Sequence, residues 1–117
     1  MGELVLIQHT VATGGLLLLG GSPHRLTPIQ YELLRILWVQ ALADSPKPAS
    51  VRGFVSSYEL LHSLPWESCN PEEDHLKQLI RRIRRRFSPF GVAVESCHGL
   101  GYRLRLDDFS AVAAVND

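Results

Sequence analysis

The sequence predicts an α+β fold in which an antiparallel β-meander comes first, three helices follow and a β-hairpin comes last. Three observations predict this order: short apolar runs between glycines near the start, three segments with apolar residues at helical spacing, and a Gly-x-Gly turn near the end. The length of 117 residues fits a single domain. Hydrophobic residues make up 45% and charged residues 21%, so a wholly disordered chain is excluded.

The meander is predicted for residues 1–26. Residues 3–8 form a short apolar run that suits a strand, and the glycines at positions 14 and 15 mark a turn. Residues 16–19 are four leucines, but the glycines on both sides leave room only for a strand. Residues 22–26 supply a third, shorter strand.

The three helices are predicted between residues 27 and 87. Thr27 and Pro28 form a helix start, since threonine caps well and proline suits the first helical position. This helix runs to about residue 43. Residues 44–53 are rich in proline and serine and are predicted as a mobile insertion. The second helix opens at residues 56–57 and ends at Pro65.

The third helix is predicted to cover residues 71–87. Asn70 is the expected cap, Pro71 the first helical residue, and the acids at positions 72–74 suit the positive end of the helix dipole. Residues 92–106 are predicted as the hairpin, because apolar residues alternate on both sides of a glycine-containing turn. The domain therefore covers residues 1–106, and residues 107–117 are predicted as a tail.

The third helix has two distinct faces. At 100° per residue, one stripe is apolar and suits a core: Leu76, Leu79, Ile80, Ile83 and Phe87. The opposite face is polar and mostly basic, with two more arginines at its flanks: Lys77, Gln78, Arg81, Arg82 and Arg85, then Arg84 and Arg86. Ordinary surface helices mix charges of both signs, so this face indicates a negatively charged partner.

Charge is also distributed unevenly along the chain. Lys and Arg total 12, as do Asp and Glu, so the net charge is zero. Residues 75–105 nevertheless hold eight cations against the single acid Glu95. This asymmetry predicts a face that binds a polyanion on an otherwise acidic body.

Four segments in this order are typical of one family. They are residues 26–34 in the first helix, 55–61 in the second, 79–87 in the third, and 98–104 at the hairpin, which reads His-Gly-Leu-Gly-Tyr-Arg-Leu. Residues 1–106 therefore resemble the winged helix-turn-helix DNA-binding (effector) domain of the OmpR/PhoB response-regulator family. The resemblance implies a cytoplasmic, bacterial transcription regulator that binds double-stranded DNA at specific sequences.

The resemblance also implies where DNA is contacted. Residues 71–87 are the expected recognition helix in the major groove, and the wing near residues 96–103 is expected at the backbone or minor groove. The implied contacts are Lys77, Gln78, Arg81, Arg82, Arg84, Arg85, Ser96, His98, Tyr102 and Arg103. Gly99 and Gly101 are expected to permit a tight turn and a close approach to DNA. His98 stands where the family usually has arginine, which weakens the expected minor-groove contact.

Further partners follow from the same resemblance. It implies that the connector at residues 65–71 contacts RNA polymerase, and it allows a homodimer. The alternative class is a protein-interaction module, in which the basic helix docks an acidic protein without binding DNA. The net charge of zero, His98 in place of the wing arginine and the acids at positions 72–74 keep this alternative open.

Other classes of function find little support in the sequence. Cys69, His75, Cys97 and His98 match no standard zinc spacing, so neither a metal nor a cofactor is expected. No pattern of nucleophile and base, and no identifiable carboxylate pair, predicts an enzyme. No apolar run approaches the ~20 residues that span a bilayer, so no membrane partner is expected.

Overall fold

A computed structural model describes the backbone of residues 2–10, 14–105, 109–111 and 115–116, together with the side chains of Leu6 and residues 14–105. Leu106, predicted as the last residue of the hairpin, and parts of the predicted tail lie outside the described residues. The elements, in chain order, are β1 (Gly2–Thr10), β2 (Gly14–Leu19), β3 (Ser22–Leu26), α1 (Pro28–Ala43), α2 (Ser57–Ser63), α3 (Glu73–Phe87), β4 (Ala93–Cys97), β5 (Gly101–Arg105), β6 (Phe109–Ala111) and β7 (Val115–Asn116).

The first sheet contains the predicted antiparallel meander. β1 pairs with β2 and β2 pairs with β3, each in antiparallel register. The leucine run in β2 is a strand, as its glycine borders predict, and Leu17 and Leu19 are its buried members. The α+β class, the three helices and the two small antiparallel units are thereby confirmed.

The sheet is larger than the sequence predicts, so the prediction of a plain tail over residues 107–117 needs correction. β6 and β7 both pair with β1 in parallel, which gives five strands and places β1 inside the sheet. The physical reason is the free edge of β1, whose backbone groups need partners. The two added strands are only three and two residues long, too short to leave a pattern in the sequence.

α1 begins and ends as predicted. The hydroxyl of Thr27 accepts a hydrogen bond from the backbone N–H of Gln30 at 3.3 Å, and the Gln30 side chain accepts from Thr27 N at 3.1 Å. Such reciprocal capping satisfies two backbone donors at the helix start. α1 ends at Ala43, immediately before the loop.

The loop at residues 44–53, predicted as a mobile insertion, is closed at its base by a buried carboxylate. One oxygen of Asp44 accepts from Gly53 N at 3.0 Å, and the other lies 2.9 Å from the Gln40 amide nitrogen and 3.2 Å from the Lys47 ammonium. Hydrogen bonding by Gly53, supported by Lys47 and Gln40, lowers the pKa of Asp44. The loop is therefore an organised structure rather than a loose connection.

α3 begins two residues later than predicted. Asn70 does not cap it, and Pro71 lies before it, because the helix starts at Glu73 with Glu72 as its cap. The ring Nδ1 of His75 accepts from Glu72 N at 3.0 Å, which satisfies the backbone donor of the cap residue from inside the helix. The correction moves the third helix, the one expected to enter the major groove, from residues 71–87 to residues 73–87.

A single apolar core joins the sheet, the helices and the hairpin. All five residues of the predicted stripe on α3 are buried, and Ile83 and Phe87 have no exposed surface. They pack with Leu6 from β1 and with Leu104 from β5 in one cluster. Burial of this stripe fixes which side of α3 faces outward. Within the described part of the chain, no helix is long and apolar enough to cross a membrane.

Candidate nucleic-acid interface

The outer face of α3 carries a row of cations. Lys77, Arg81, Arg82 and Arg85 are exposed, as is Gln78 among them. No described residue forms an ion pair or a hydrogen bond with these four cations. Lys77 and Arg85 are eight residues apart on the helix, about 12 Å along its axis. The diameter of an α-helix with its side chains, about 10–12 Å, matches the width of about 12 Å of the DNA major groove.

Two other arginines of α3 are turned toward the body of the protein. The Nε of Arg84 donates to the carbonyl of Val94 in β4 at 2.9 Å. The guanidinium of Arg86 donates to Gln30 at 3.2 Å and to the carbonyl of Arg25, and it lies over the ring of Phe87 at 4.8 Å. Arg84 was predicted to contact DNA, yet part of its guanidinium holds the hairpin to the helix.

The hairpin of β4 and β5 is joined to the segment before α2. Tyr102 N donates to Val55 O at 2.9 Å, and Val55 N donates to Tyr102 O at 2.8 Å. This bridge brings Gly101 so close that an added Cβ would lie 2.7 Å from the carbonyl carbon of Val55. The close approach that the structure shows for Gly101 is to the protein's own backbone. The expected approach to DNA stays a prediction. Gly99, with φ of +84° and open space around it, does serve the tight turn.

Lys77 and the hairpin face each other across a groove of about 560 Å³. Ser96, His98 and Tyr102, all predicted site residues, line this groove together with Lys77. Ser96 and His98 are exposed, whereas Tyr102 is half-buried and also packs against the core. The structure thus brings four of the predicted residues to one place. Leu100, at the tip of the hairpin, and Ser57 at the start of α2 line the same groove.

The other predicted cations line two further grooves beside α3. Arg81, Arg84 and Arg85 line a groove of about 580 Å³ together with residues 92–94. Arg82 borders a third groove of about 640 Å³, which α3 forms with the start of α1 and the connector at residues 65–68. The connector predicted to contact a protein partner therefore adjoins the basic face.

Arg103, the other predicted wing contact, is engaged within the protein. Its Nε donates to a carboxylate oxygen of Glu95 at 2.8 Å, and its NH1 donates to the carbonyls of Ala49 and Arg52 at 2.6 and 3.3 Å. The guanidinium carbon lies 4.6 Å from the centre of the Phe54 ring. The hydrogen bond from Arg103, aided by Arg105, lowers the pKa of Glu95.

Acidic residues lie at the start of the same helix. Glu73 and Asp74 are exposed in the first turn of α3, before the row of cations begins at Lys77. The charge of α3 therefore changes sign along its length. Any polyanion that binds this face meets its cations from the second turn of the helix to its last turn.

Sequence reasoning missed two features of this interface. Ser57 and Leu100 were not singled out, although Ser57 follows the helix cap Ser56 and Leu100 lies between the two glycines of the turn. Either position carried a signal, since a helix start and a hairpin tip are common contact points. The partners of Arg103 carried no such signal, because Ala49 and Arg52 are more than fifty residues away in the chain.

Comparison of the chain with protein-family models, with curated proteins and with solved structures finds no match. The fold itself defines a class: an α+β domain whose three helices and hairpin are compatible with a winged-helix arrangement. Among the described residues, no group of three or more His, Cys, Asp or Glu side chains is placed to hold a metal ion.

Proposed function

We propose that this protein is a winged helix-turn-helix domain that binds double-stranded DNA at specific sequences and regulates transcription. The single observation that supports this most strongly is the row of four exposed cations on the outer face of α3, which have no partner among the described residues. Guanidinium and ammonium groups bind phosphate oxygens, and a helix with an exposed outer face fits the major groove. The neighbouring groove between Lys77 and the hairpin provides room for the DNA backbone.

In this proposal the residues of α3 have two roles. Lys77, Arg81, Arg82 and Arg85 supply affinity, mostly through phosphates, and Gln78 with one or two of these arginines reads base edges. Ser96, His98 and Tyr102 contact the backbone or minor groove from the hairpin. Contact of residues 65–71 with RNA polymerase, homodimer formation on DNA and action in a bacterial cytoplasm are carried over from the family resemblance.

The test is binding to a fluorescently labelled duplex of mixed sequence, followed by anisotropy at several salt concentrations. The double variant Arg81→Ala/Arg85→Ala removes two proposed phosphate contacts. We expect weaker binding and a slope of log affinity against log salt that is shallower by about 0.9 per lost contact. A matched control is Arg35→Ala/Lys47→Ala, which removes two cations already paired with Glu32 and Asp44. The control should leave the slope unchanged.

Two results would refute the proposal. Absence of binding to duplex DNA at low salt would favour the alternative, in which the basic helix docks an acidic protein. Equal slopes for the double variant and its control would show that Arg81 and Arg85 do not contact phosphates. If binding is found, selection from random duplexes then tests sequence specificity, and Gln78→Ala should lower the preference for the selected site.

A further inference from the structure

The contacts of Arg103 join three parts of the chain that are distant in sequence. Three N–H groups of its guanidinium are used, one on Glu95 in β4 and two on the carbonyls of Ala49 and Arg52. Its flat face covers Phe54. Arg103 is half-buried, and 23% of its side chain is accessible to solvent. This number of partners is far greater than that of the exposed arginines on α3.

The loop that receives Arg103 is itself firmly attached. The carboxylate of Asp44 ties Gly53 to the last turn of α1 through its bonds to Gly53 N and Gln40. The bridge between Val55 and Tyr102 continues this attachment into β5. Arg103 therefore links the hairpin to the loop at residues 44–53, which Asp44 in turn ties to the end of α1.

The charge of Arg103 is also matched within the fold. Glu95 lies opposite it in the β4–β5 register, with the two charged groups 2.8 Å apart. A phosphate would have to displace this carboxylate or share the guanidinium with it and two carbonyls. An ion pair with further hydrogen bonds and an aromatic neighbour is a structural anchor.

We infer that Arg103 is a positioning residue: it fixes the hairpin relative to the loop at residues 44–53 and does not itself contact DNA. This inference rests on the proposed function, and it assigns to Arg103 a role different from the wing contact that the family resemblance implies. The groove between Lys77 and the hairpin depends on this position, since Tyr102 next to Arg103 lines it. Loss of Arg103 displaces the hairpin from the DNA while α3 remains on the core.

Glu95→Gln distinguishes the two roles by the sign of its effect. Because Arg105 also pairs with Glu95, the comparison is made in an Arg105→Ala background. If Arg103 bound phosphate, removal of its acidic competitor would there strengthen DNA binding. If Arg103 positions the hairpin, Glu95→Gln weakens binding by about tenfold for one lost charge-assisted hydrogen bond. Arg103→Ala, which also loses the bonds to Ala49 and Arg52, weakens binding at least as much. Glu59→Gln is the matched control, because it removes one exposed acid of α2 and reports the effect of net charge alone.

The variant Arg103→Lys and the salt dependence of binding give a second way to distinguish a hairpin-positioning role of Arg103 from a phosphate contact. A lysine keeps the positive charge, so it would rescue a phosphate contact. It cannot reproduce the two carbonyl bonds and the stacking on Phe54, so binding should stay weak. The salt slope of Arg103→Ala should equal that of the wild type, whereas a lost phosphate contact would lower it by about 0.9.

A measurement without DNA shows whether the hairpin moves. Amide hydrogen exchange at Val55 and Tyr102 reports their bridge, and exchange at Ile83 reports the docking of α3. In Arg103→Ala we expect faster exchange at the bridge and unchanged exchange at Ile83. Equal acceleration at all three amides would mean general destabilisation and would overturn the inference, as would tighter binding by Glu95→Gln.

The two proposals fail in different ways. If the wild type binds no DNA, the proposed function fails, and the positioning role in DNA binding fails with it, even when the exchange result stands. If the wild type binds DNA and Arg103→Lys restores both affinity and slope, only the positioning role fails.

Discussion

Substitution of Gly101 by alanine tests how closely the hairpin must approach the rest of the fold. Gly101 has φ of +113°, a backbone conformation that an L-residue adopts only with strain of about 1–3 kcal/mol. An added Cβ would also lie 2.7 Å from the carbonyl carbon of Val55 and 2.8 Å from the Cα of Ser56. Such overpacking against backbone costs a further ~1–3 kcal/mol. We expect Gly101→Ala to lose about 2–6 kcal/mol of unfolding free energy.

Gly99→Ala is the control for this experiment. Gly99 also has a positive φ of +84°, but an added Cβ there meets nothing within 4 Å. Gly99→Ala should therefore lose unfolding free energy through conformational strain alone, about 1–3 kcal/mol. Urea unfolding followed by circular dichroism gives both free energies, provided that the two variants share the wild-type m-value. A loss for Gly101→Ala no greater than that for Gly99→Ala would refute the close approach to Val55.

Three further predictions concern the framework that carries the interface. Because folding lowers the pKa of Asp44, its carboxylate stabilises the fold above the unfolded pKa near 4. Asp44→Asn should therefore be less stable than the wild type at pH 7, and urea unfolding at lower pH should show the difference shrinking from about pH 4 downward. Thr27→Ala should lose about 1 kcal/mol of unfolding free energy with its cap, and Thr27→Ser, which keeps the hydroxyl, should lose much less. Ile83→Ala, at a fully buried position, should lose about 2–5 kcal/mol, against about 0.5–1.5 for Ile83→Val. Equal losses of unfolding free energy for Thr27→Ala and Thr27→Ser would contradict the helix cap. Equal losses for Ile83→Ala and Ile83→Val would contradict the packing at Ile83.

The elements with a strong local signal were predictable from the sequence. The apolar stripe of α3 repeats at helical spacing, and every one of its five residues is buried. The start of α1 was predictable because Thr27 and Pro28 specify both the cap and the first helical position. In such segments, local propensity and tertiary packing favour the same structure.

Other features depended on partners that the sequence does not display. The start of α3 has two competing signals, and the pairing of Glu72 with His75 prevails over Asn70 and Pro71. β6 and β7 are short and form on an edge more than a hundred residues earlier in the chain. Their positions follow from tertiary pairing, which overrides weak local preference.

The fold, and not the composition, decides which cations of the basic segment bond within the protein and which are exposed. Residues 75–105 hold eight cations, which the sequence presents as one basic region. The structure gives Arg84, Arg86 and Arg103 hydrogen-bond partners within the protein, and it pairs Arg105 with Glu95. Flank positions of α3 lie beside neighbouring elements, so Arg84 reaches a backbone carbonyl and Arg86 reaches the Gln30 amide.

This division limits how strongly DNA binding can depend on salt. If all eight cations contacted phosphates, the slope of log affinity against log salt would be about −7. If only the four unpartnered cations of α3 do so, the slope is about −4, because each contact contributes about 0.9. The anisotropy titration measures this slope directly. A value near −7 would mean that the ion pairs of the hairpin open on binding, and it would contradict the separation between cations that meet DNA and arginines that hold the fold.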